Sequence, residues 1–387
     1  MNKYLLKPEI QEFIKTSTED TSKLAFAGSP FPEVSINELL QQIESRRAIE
    51  KKLPKWFATK NILYPPKLNL EQTSSEVTAA YKAHLVTGKS LADITGGFGI
   101  DALYFAEIFK QVTHFEKNES LSQLAAHNSQ VLGQENIQYM PGDGILGIKD
   151  KEFDVIYVDP SRRNESKGKV FFLNDCEPNV PNYLEYLLAR CTTLLVKTSP
   201  MLDISIGVQE LKYISEIHVV ALNNEVKELL FVLNNDVSKA FRIHTVNISK
   251  KGLETFSFLP AVAVKTLFST PLRFLYEPNV AILKAGGFQY ISEAFKLKKL
   301  HQHSHLFTSE ALRDFPGRSF LIEKVVPYTK KQMRGITFAK ANITTRNFPE
   351  SVAMLRKKWK IKEGGNTYLF FTTLENEDKI MLICEKV

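Results

Sequence analysis

The chain has 387 residues, 43% hydrophobic and 24% charged, which excludes a disordered, collagenous or disulfide-stapled protein and leaves room for two or three domains with ample core. No apolar run approaches the roughly 18 to 20 residues that span a bilayer, and "MNKYLLKPEIQEFIKTSTED" turns polar too early for a secretory leader. The three cysteines, Cys176, Cys191 and Cys384, show no ligand or redox spacing. A cytoplasmic home, without membrane or metal, is the expectation.

The charge of +7 is unevenly placed: Lys324 to Lys362 holds eleven Lys or Arg and the single acid Glu350, a net of +10, so the remainder carries −3. A basic block beside a nearly neutral body points to an anionic partner, nucleic acid first, against the alternative of a merely solvated surface.

In chain order, "KPEIQEFIKTS" and "SINELLQQIESRRAIEKKL" read as helices, with Ser35 and Glu38 spaced as a capping box. "NILYPPK" reads as an extended linker, and Thr73 with Glu76 as a second capping box opening another helix. From residue 90, short apolar strands ("SLADI", "QVTHFE", "IQYM", "FDVIYVD", "TTLLVKT") alternate with helical periodicity over Ile100–Phe109, Leu121–Leu132 and Pro181–Ala189. Alternation at this spacing predicts a doubly wound parallel sheet. "YISEIHVVALNNEVKELLFVL" then predicts a hairpin turning at Asn223 and Asn224, which plain dinucleotide-binding sheets lack. Beyond residue 236 strands and helices mix, with a helix ending at Gly286, strands "RSFLIEKVV", "TYLFFTTL" and "KIMLICEKV", and one helix "ESVAMLRKKW". "HQHSH" would set His301, His303 and His305 on one face of a strand; without further ligands in sequence, an exposed polar strand or loop rather than a metal is expected there.

The chemistry concentrates at "LADITGGFGIDALYF". Gly97, Gly99 and Ala102 fit a dinucleotide turn, and Glu116 ends the next strand 23 residues after Asp93, where a ribose-binding acid belongs. Three features instead favour S-adenosyl-L-methionine. Asp93 lies at the end of the first strand, Asp143 follows the third in "PGDG", and Asp159-Pro160 ends the fourth in "VIYVDPSRR". Open α/β sheets bind ligands beyond the carboxyl ends of their strands, where all these acids fall. Asp93, Thr95, Gly96, Gly97, Gly99, Asp101, Glu116 and Asp143 are the candidate cofactor residues, and Asp159 and Pro160 the candidate catalytic pair. Each acid also has a structural reading, as a cap, a tight-turn residue or a surface charge. "EQTSSE" reads either as a cap alone or as a cofactor or substrate contact.

"KLPKWF", "YPPKLNLEQTSSE", "DITGGFGID", "VDPSRR", "VKTSP" and "FPESVAMLRKKWKIKEGGNTYLFFTT" together resemble bacterial class I methyltransferases with a THUMP-like C-terminal domain, more remotely the trimethylguanosine synthase group. The resemblance covers nearly the whole chain. It implies an α/β fold: a Rossmann-like sheet with terminal β-hairpin, a helical N-terminal extension, and an α+β C-terminal part that is ferredoxin-like and then THUMP-like. The expected boundaries are 1–70, 71–235, 236–320 and 321–387. THUMP domains are generally RNA-binding, which agrees with the basic block.

Enzymes that methylate exocyclic base amines resemble one another in an Asp/Asn-Pro-Pro-aromatic motif, whereas this chain reads Asp159-Pro160-Ser161-Arg162, so an amine target departs from pattern. Tyr157 or Phe171 could supply the missing stacking. "DPSRR" also resembles the motif of uridine C5-methyltransferases, but "LLVKTSP" (Lys197, Thr198, Ser199) lacks their cysteine nucleophile. Ser161, Arg162 and Arg163 are candidate substrate contacts, the arginines suiting a phosphate backbone or else a salt bridge to Glu165 or Asp175. Lys330, Lys331, Arg334, Arg356, Lys357 and Lys358 are the candidate docking residues for RNA. The expected function is methylation of a base in structured RNA, rRNA or tRNA. The alternatives are a protein or small-molecule methyltransferase, or a non-catalytic RNA-binding protein retaining the pocket.

Overall fold

The computed structural model describes residues 2–162, 172–235, 240–260 and 262–387. The chain divides into two compact units, Met1–Ser215 with Leu229–Lys239, and Glu216–Glu228 with Ala240–Val387.

In the first unit, helices α1 (Pro8–Thr16), α2 (Thr21–Ala27), α3 (Ile36–Ile49), α4 (Pro54–Ala58), α5 (Lys67–Gln72) and α6 (Glu76–Ala83) precede the sheet. The box opening α3 forms as expected: Ser35 Oγ accepts from the Glu38 N–H at 3.3 Å, and Glu38 Oε2 accepts from the Ser35 N–H at 2.9 Å. The second box is displaced. Ser75, not Thr73, caps α6, paired with Thr78, while the Thr73 hydroxyl donates to the Leu70 carbonyl. "NILYPPK" runs without helix or strand from 62 to 66, as a linker should, yet Ile62, Leu63 and Tyr64 are buried in the helical cores. Asn128 pairs with both backbone groups of Leu63 and Gln42 with both of Tyr64, so the irregular backbone stays satisfied while its side chains face inward.

The sheet follows as β1 (Ser90–Asp93), α7 (Ile100–Ile108), β2 (Gln111–Glu116), α8 (Glu119–Val131), β3 (Ile137–Pro141), α9 (Gly144–Gly147) and β4 (Phe153–Val158). A two-residue ladder comes next, β5 (Ser161–Arg162) against β6 (Cys176–Glu177), then α10 (Val180–Leu188), β7 (Cys191–Thr198) and α11 (Ile204–Glu210). Strands β7, β4, β1, β2 and β3 lie side by side in that order, all parallel. Their apolar runs are buried because helices flank a parallel sheet; Leu91, Val155, Ile156, Leu194 and Val196 have no exposed surface, each contributing about 1.5–3 kcal/mol. β8 (Ile214–Leu222) and β9 (Glu225–Leu233) form the hairpin, turning at Asn223 and Asn224 with φ of 52° and 62°. Residues 229–233 of β9 run antiparallel to β7.

In the second unit, β10 (Arg242–Ser249) runs parallel to β8 and antiparallel to β11 (Gly252–Phe258). After them come β12 (Phe274–Pro278), α12 (Val280–Ala285), α13 (Phe288–Ala294), β13 (Lys298–Lys299), β14 (Phe307–Ser309), β15 (Gly317–Pro327), α14 (Lys330–Arg334), β16 (Asn342–Arg346), α15 (Val352–Trp359), β17 (Thr367–Thr373) and β18 (Lys379–Lys386). Their sheet has the order β13-β14-β12-β15-β18-β17-β16. Gly286 ends α12 in the left-handed conformation, as its position predicts. The histidine triplet takes the loop form of that expectation, although His301 is buried. His301–His305 form the turn between β13 and β14: the His301 ring meets Asn347, and His305 stacks on Phe288 with centroids 3.6 Å apart. Among the described residues no helix is long and apolar enough to cross a membrane.

Candidate active site

The glycine turn sits between β1 and α7. Gly97 and Gly99 have φ of 54° and 81°, a region that side chains resist, and Gly99 caps α7. Gly96 is required for another reason: a Cβ there would lie 2.2 Å from Nε2 of His114, a buried side chain of β2. The Gly97 N–H donates to Glu116 Oε2 at 2.9 Å and the Asn118 N–H to Glu116 Oε1 at 2.7 Å, so both oxygens of that strand-end acid are held on backbone. A side chain at Gly97 would meet nothing nearer than 3.9 Å, leaving open space above the turn.

Four acids converge here. Asp93 is buried, accepts the Thr95 N–H at 3.0 Å, and has its pKa raised well above its ordinary value, first by burial, then by the neighbouring Asp101, Asp159 and Glu116 charges. Asp101 goes the other way. Burial alone would raise it, but the ammoniums of Lys82 and Lys197 and hydrogen bonds from Tyr157 and Ser74 hold it below its usual value. The contacts are close: Lys82 Nζ is 3.2 Å from Oδ1, and the Tyr157 and Ser74 hydroxyls donate to Oδ2 at 2.8 and 2.9 Å. Ser74 belongs to "EQTSSE", so this segment meets the site as well as capping a helix.

At the end of β4 the Asp159 N–H donates to Thr95 Oγ1 at 2.7 Å, tying that strand end to the turn. The Asp159 carboxylate is ion-paired through Oδ2 with Lys197 of β7, the neighbouring strand. Pro160 is buried and Ser161 exposed. Arg162 enters β5 through its backbone, whereas Arg163, Glu165 and Phe171 lie outside the described residues. Asp143 is engaged locally. It caps α9 through the Ile145 and Leu146 N–H groups and meets Lys117 Nζ at 3.0 Å. Burial would raise its pKa, but Lys117 and the capped N–H groups outweigh that and lower it.

All three cysteines are buried and form no disulfide among the described residues, and burial pushes the Cys191 thiol up to about 12. In the second unit, α14 presents Lys330, Lys331 and Arg334 to solvent, and α15 presents Lys357. Arg356 and Lys358 are engaged. Arg356 donates to the Ala341 carbonyl at 3.3 Å, and Lys358 pairs with Glu350 and the Tyr328 hydroxyl, each at 3.0 Å.

Sequence reasoning did not assign Lys82 or His114 to the site, and it passed over Lys197 for want of a cysteine. It offered Tyr157 only as a base-stacking ring, whereas the ring is buried and its hydroxyl donates to Asp101. A signal existed for Lys197: the one charged residue of a central strand, following the apolar run Leu194–Val196, demands a partner. Lys82 and His114 gave none, since the contacts that matter come from residues distant in sequence.

The parallel sheet, its antiparallel last strand and an acid at three strand ends define the class I methyltransferase architecture. The chain is similar, over its whole length, to a Porphyromonas gingivalis W83 protein whose crystal structure is described as that of a "putative methyltransferase": 31% identity, 100% of this chain, 98% of that one, TM-score 0.89. The chain belongs to that protein's family. Family models match residues 35–164 as protein-L-isoaspartate(D-aspartate) O-methyltransferase, 274–316 as a ferredoxin-like domain and 317–386 as a THUMP-like domain. Part of the chain is also similar to the tRNA (uracil-54, C5)-methyltransferase of Pyrococcus abyssi bound to S-adenosyl-L-homocysteine (24% identity, 42% of this chain and 39% of that, TM-score 0.32). Another partial likeness is to an rRNA methylase of Streptococcus thermophilus (16%, 41% and 93%, TM-score 0.31). No curated protein matches the sequence.

Proposed function

We propose that this protein is an S-adenosyl-L-methionine-dependent methyltransferase that modifies a base in structured RNA. One observation carries the cofactor reading: three strand ends bring the buried Asp93 and the half-exposed Glu116 and Asp159 together beside an open glycine turn. Such a site favours a cation, and S-adenosyl-L-methionine brings two, an ammonium and the sulfonium whose methyl is electrophilic. Asp93, Thr95, Gly96, Gly97, Gly99 and Glu116 would hold it. Asp101, enclosed by Lys82, Tyr157 and Ser74, acts as a support for the turn rather than as a contact. Asp143 keeps its cap and its lysine while bordering the site.

Methyl transfer asks a protein chiefly to align donor and acceptor and to exclude water. Asp159 and Pro160 border the acceptor. Lys197 fixes the Asp159 carboxylate through Oδ2 and leaves Oδ1 to accept a hydrogen from the acceptor. The THUMP-like domain and the exposed Lys330, Lys331, Arg334 and Lys357 support RNA as the partner.

A second reading, methylation of a protein carboxylate, is favoured by the family model matched over 35–164. The deciding experiment supplies methyl-labelled S-adenosyl-L-methionine with total RNA from a strain lacking this gene, and with DNA and soluble protein in parallel. Label in one RNA size class is expected. Label in protein alone would overturn the RNA reading, and none anywhere despite cofactor binding would leave a binding protein.

A further inference from the structure

The second unit holds a cluster that methyl transfer does not use. Glu216 and His218 alternate on β8 and so share a face. β10 runs parallel beside it and sets His244 opposite His218.

We propose that Glu216, His218 and His244 form a binding site for a divalent transition-metal ion of the zinc class. Their ligand atoms all lie within 4.8 Å of one another. A tetrahedral ion with bonds of about 2.1 Å needs donors about 3.4 Å apart. Glu216 Oε2 stands 2.9 Å from His218 Nε2 and 3.7 Å from His244 Nε2, on either side of that value.

His244 supplies the second, independent observation. Its Nε2 is buried and has no hydrogen-bond partner, although it is aimed toward Glu216. Its Nδ1 lies 2.8 Å from the hydroxyl of Ser257, the residue opposite it on β11. With Nδ1–H donating to Ser257, the Nε2 lone pair faces the site, the outer-shell arrangement that metal-binding imidazoles use. An ordinary hydrogen-bonded Glu216–His218 pair accounts for the 2.9 Å contact but leaves the His244 nitrogen unexplained.

Two imidazoles and one carboxylate select zinc, cobalt, nickel or copper over magnesium and calcium. The Glu216 side chain is 47% exposed and that of His218 only 6%, so an ion enters from the carboxylate side and keeps an open fourth position there. The two rings are stacked, 4.5 Å apart and 9° from parallel, and one ion cannot lie in both planes. Binding therefore turns at least one ring. Arg242, set beside Glu216 by the same ladder, opposes a cation.

The test uses the full-length protein stripped by a chelator and titrated with Co²⁺, followed by its visible absorption, with Zn²⁺ stoichiometry read by native mass spectrometry. One equivalent should bind with a tetrahedral cobalt band. His218→Asn and His244→Asn should each weaken binding more than tenfold, and Ser257→Ala about tenfold. Arg242→Gln should tighten it. Glu216→Gln, at an exposed position, removes a ligand with little risk to folding, and far-ultraviolet circular dichroism checks every variant. Absence of the band at micromolar protein, or equal affinity in folded Glu216→Gln and both histidine variants, would overturn the site. Neither result bears on methyl transfer.

Discussion

Acid should load the glycine turn through one residue, His114. It is buried in β2, neither ring nitrogen has a hydrogen-bond partner, and its Nε2 abuts Gly96. Burial pushes its pKa down to about 4, against 6.5 for a free histidine. Below pH 6.5 the unfolded chain takes up a proton that the native chain refuses until about pH 4. The unfolded state then holds more protons, and stability falls as pH falls. At about 1.4 kcal/mol per unit, the full loss is about 3 kcal/mol, of which about 2 kcal/mol has gone by pH 5. Asp93 contributes the opposite slope, because its raised pKa makes the native state hold the extra proton above the ordinary carboxylate range. Comparison with a non-ionisable variant cancels that term. Urea unfolding of wild type and His114→Leu at pH 8, 7, 6 and 5 should show wild type losing about 2 kcal/mol more than the variant over that span. Parallel pH profiles, or an NMR titration placing His114 near 6.5, would refute the reasoning.

Other outcomes follow from the same geometry. Gly96→Ala drives a Cβ into the His114 ring and should cost about 1–3 kcal/mol in stability, with weaker S-adenosyl-L-methionine binding by calorimetry. Lys197→Met frees the Asp159 carboxylate and should lower turnover about a hundredfold while cofactor affinity holds, a split that steady-state kinetics and calorimetry together resolve. Replacing Lys330, Lys331, Arg334 and Lys357 with Ala should flatten the dependence of log affinity for RNA on log salt by about 3 to 4, roughly one for each phosphate no longer neutralised, read by filter binding across salt. Glu277, buried beside the half-exposed Arg318 and Arg346, anchors β12, and Glu277→Ala should destabilise the second unit by about 1–2 kcal/mol in thermal or urea unfolding.

Periodicity and punctuation alone determined the doubly wound order of strands and helices, the Asn223–Asn224 hairpin, the Ser35 cap and the acids at the strand ends. All of these rest on local rules: a two-residue or 3.6-residue period, a left-handed turn that asparagine tolerates, a side chain reaching three residues along. Local rules failed where two signals competed. Thr73 and Ser75 both suit a cap, and only the packing of α6 chose Ser75. "NILYPPK" has the composition of a linker, but two distant amides satisfy its backbone and let it enter the core. The site divides in the same way. Asp93, Gly97, Glu116 and Asp159 were legible because each is tied to the end of a strand. Lys82, Lys197 and His114 were not, nor were the support that Tyr157 gives Asp101 and the meeting of Glu216, His218 and His244. Those groups come together through sheet register and helix packing, and a charge or an imidazole acquires its role from what lies within a few ångströms of it, which only the tertiary structure decides.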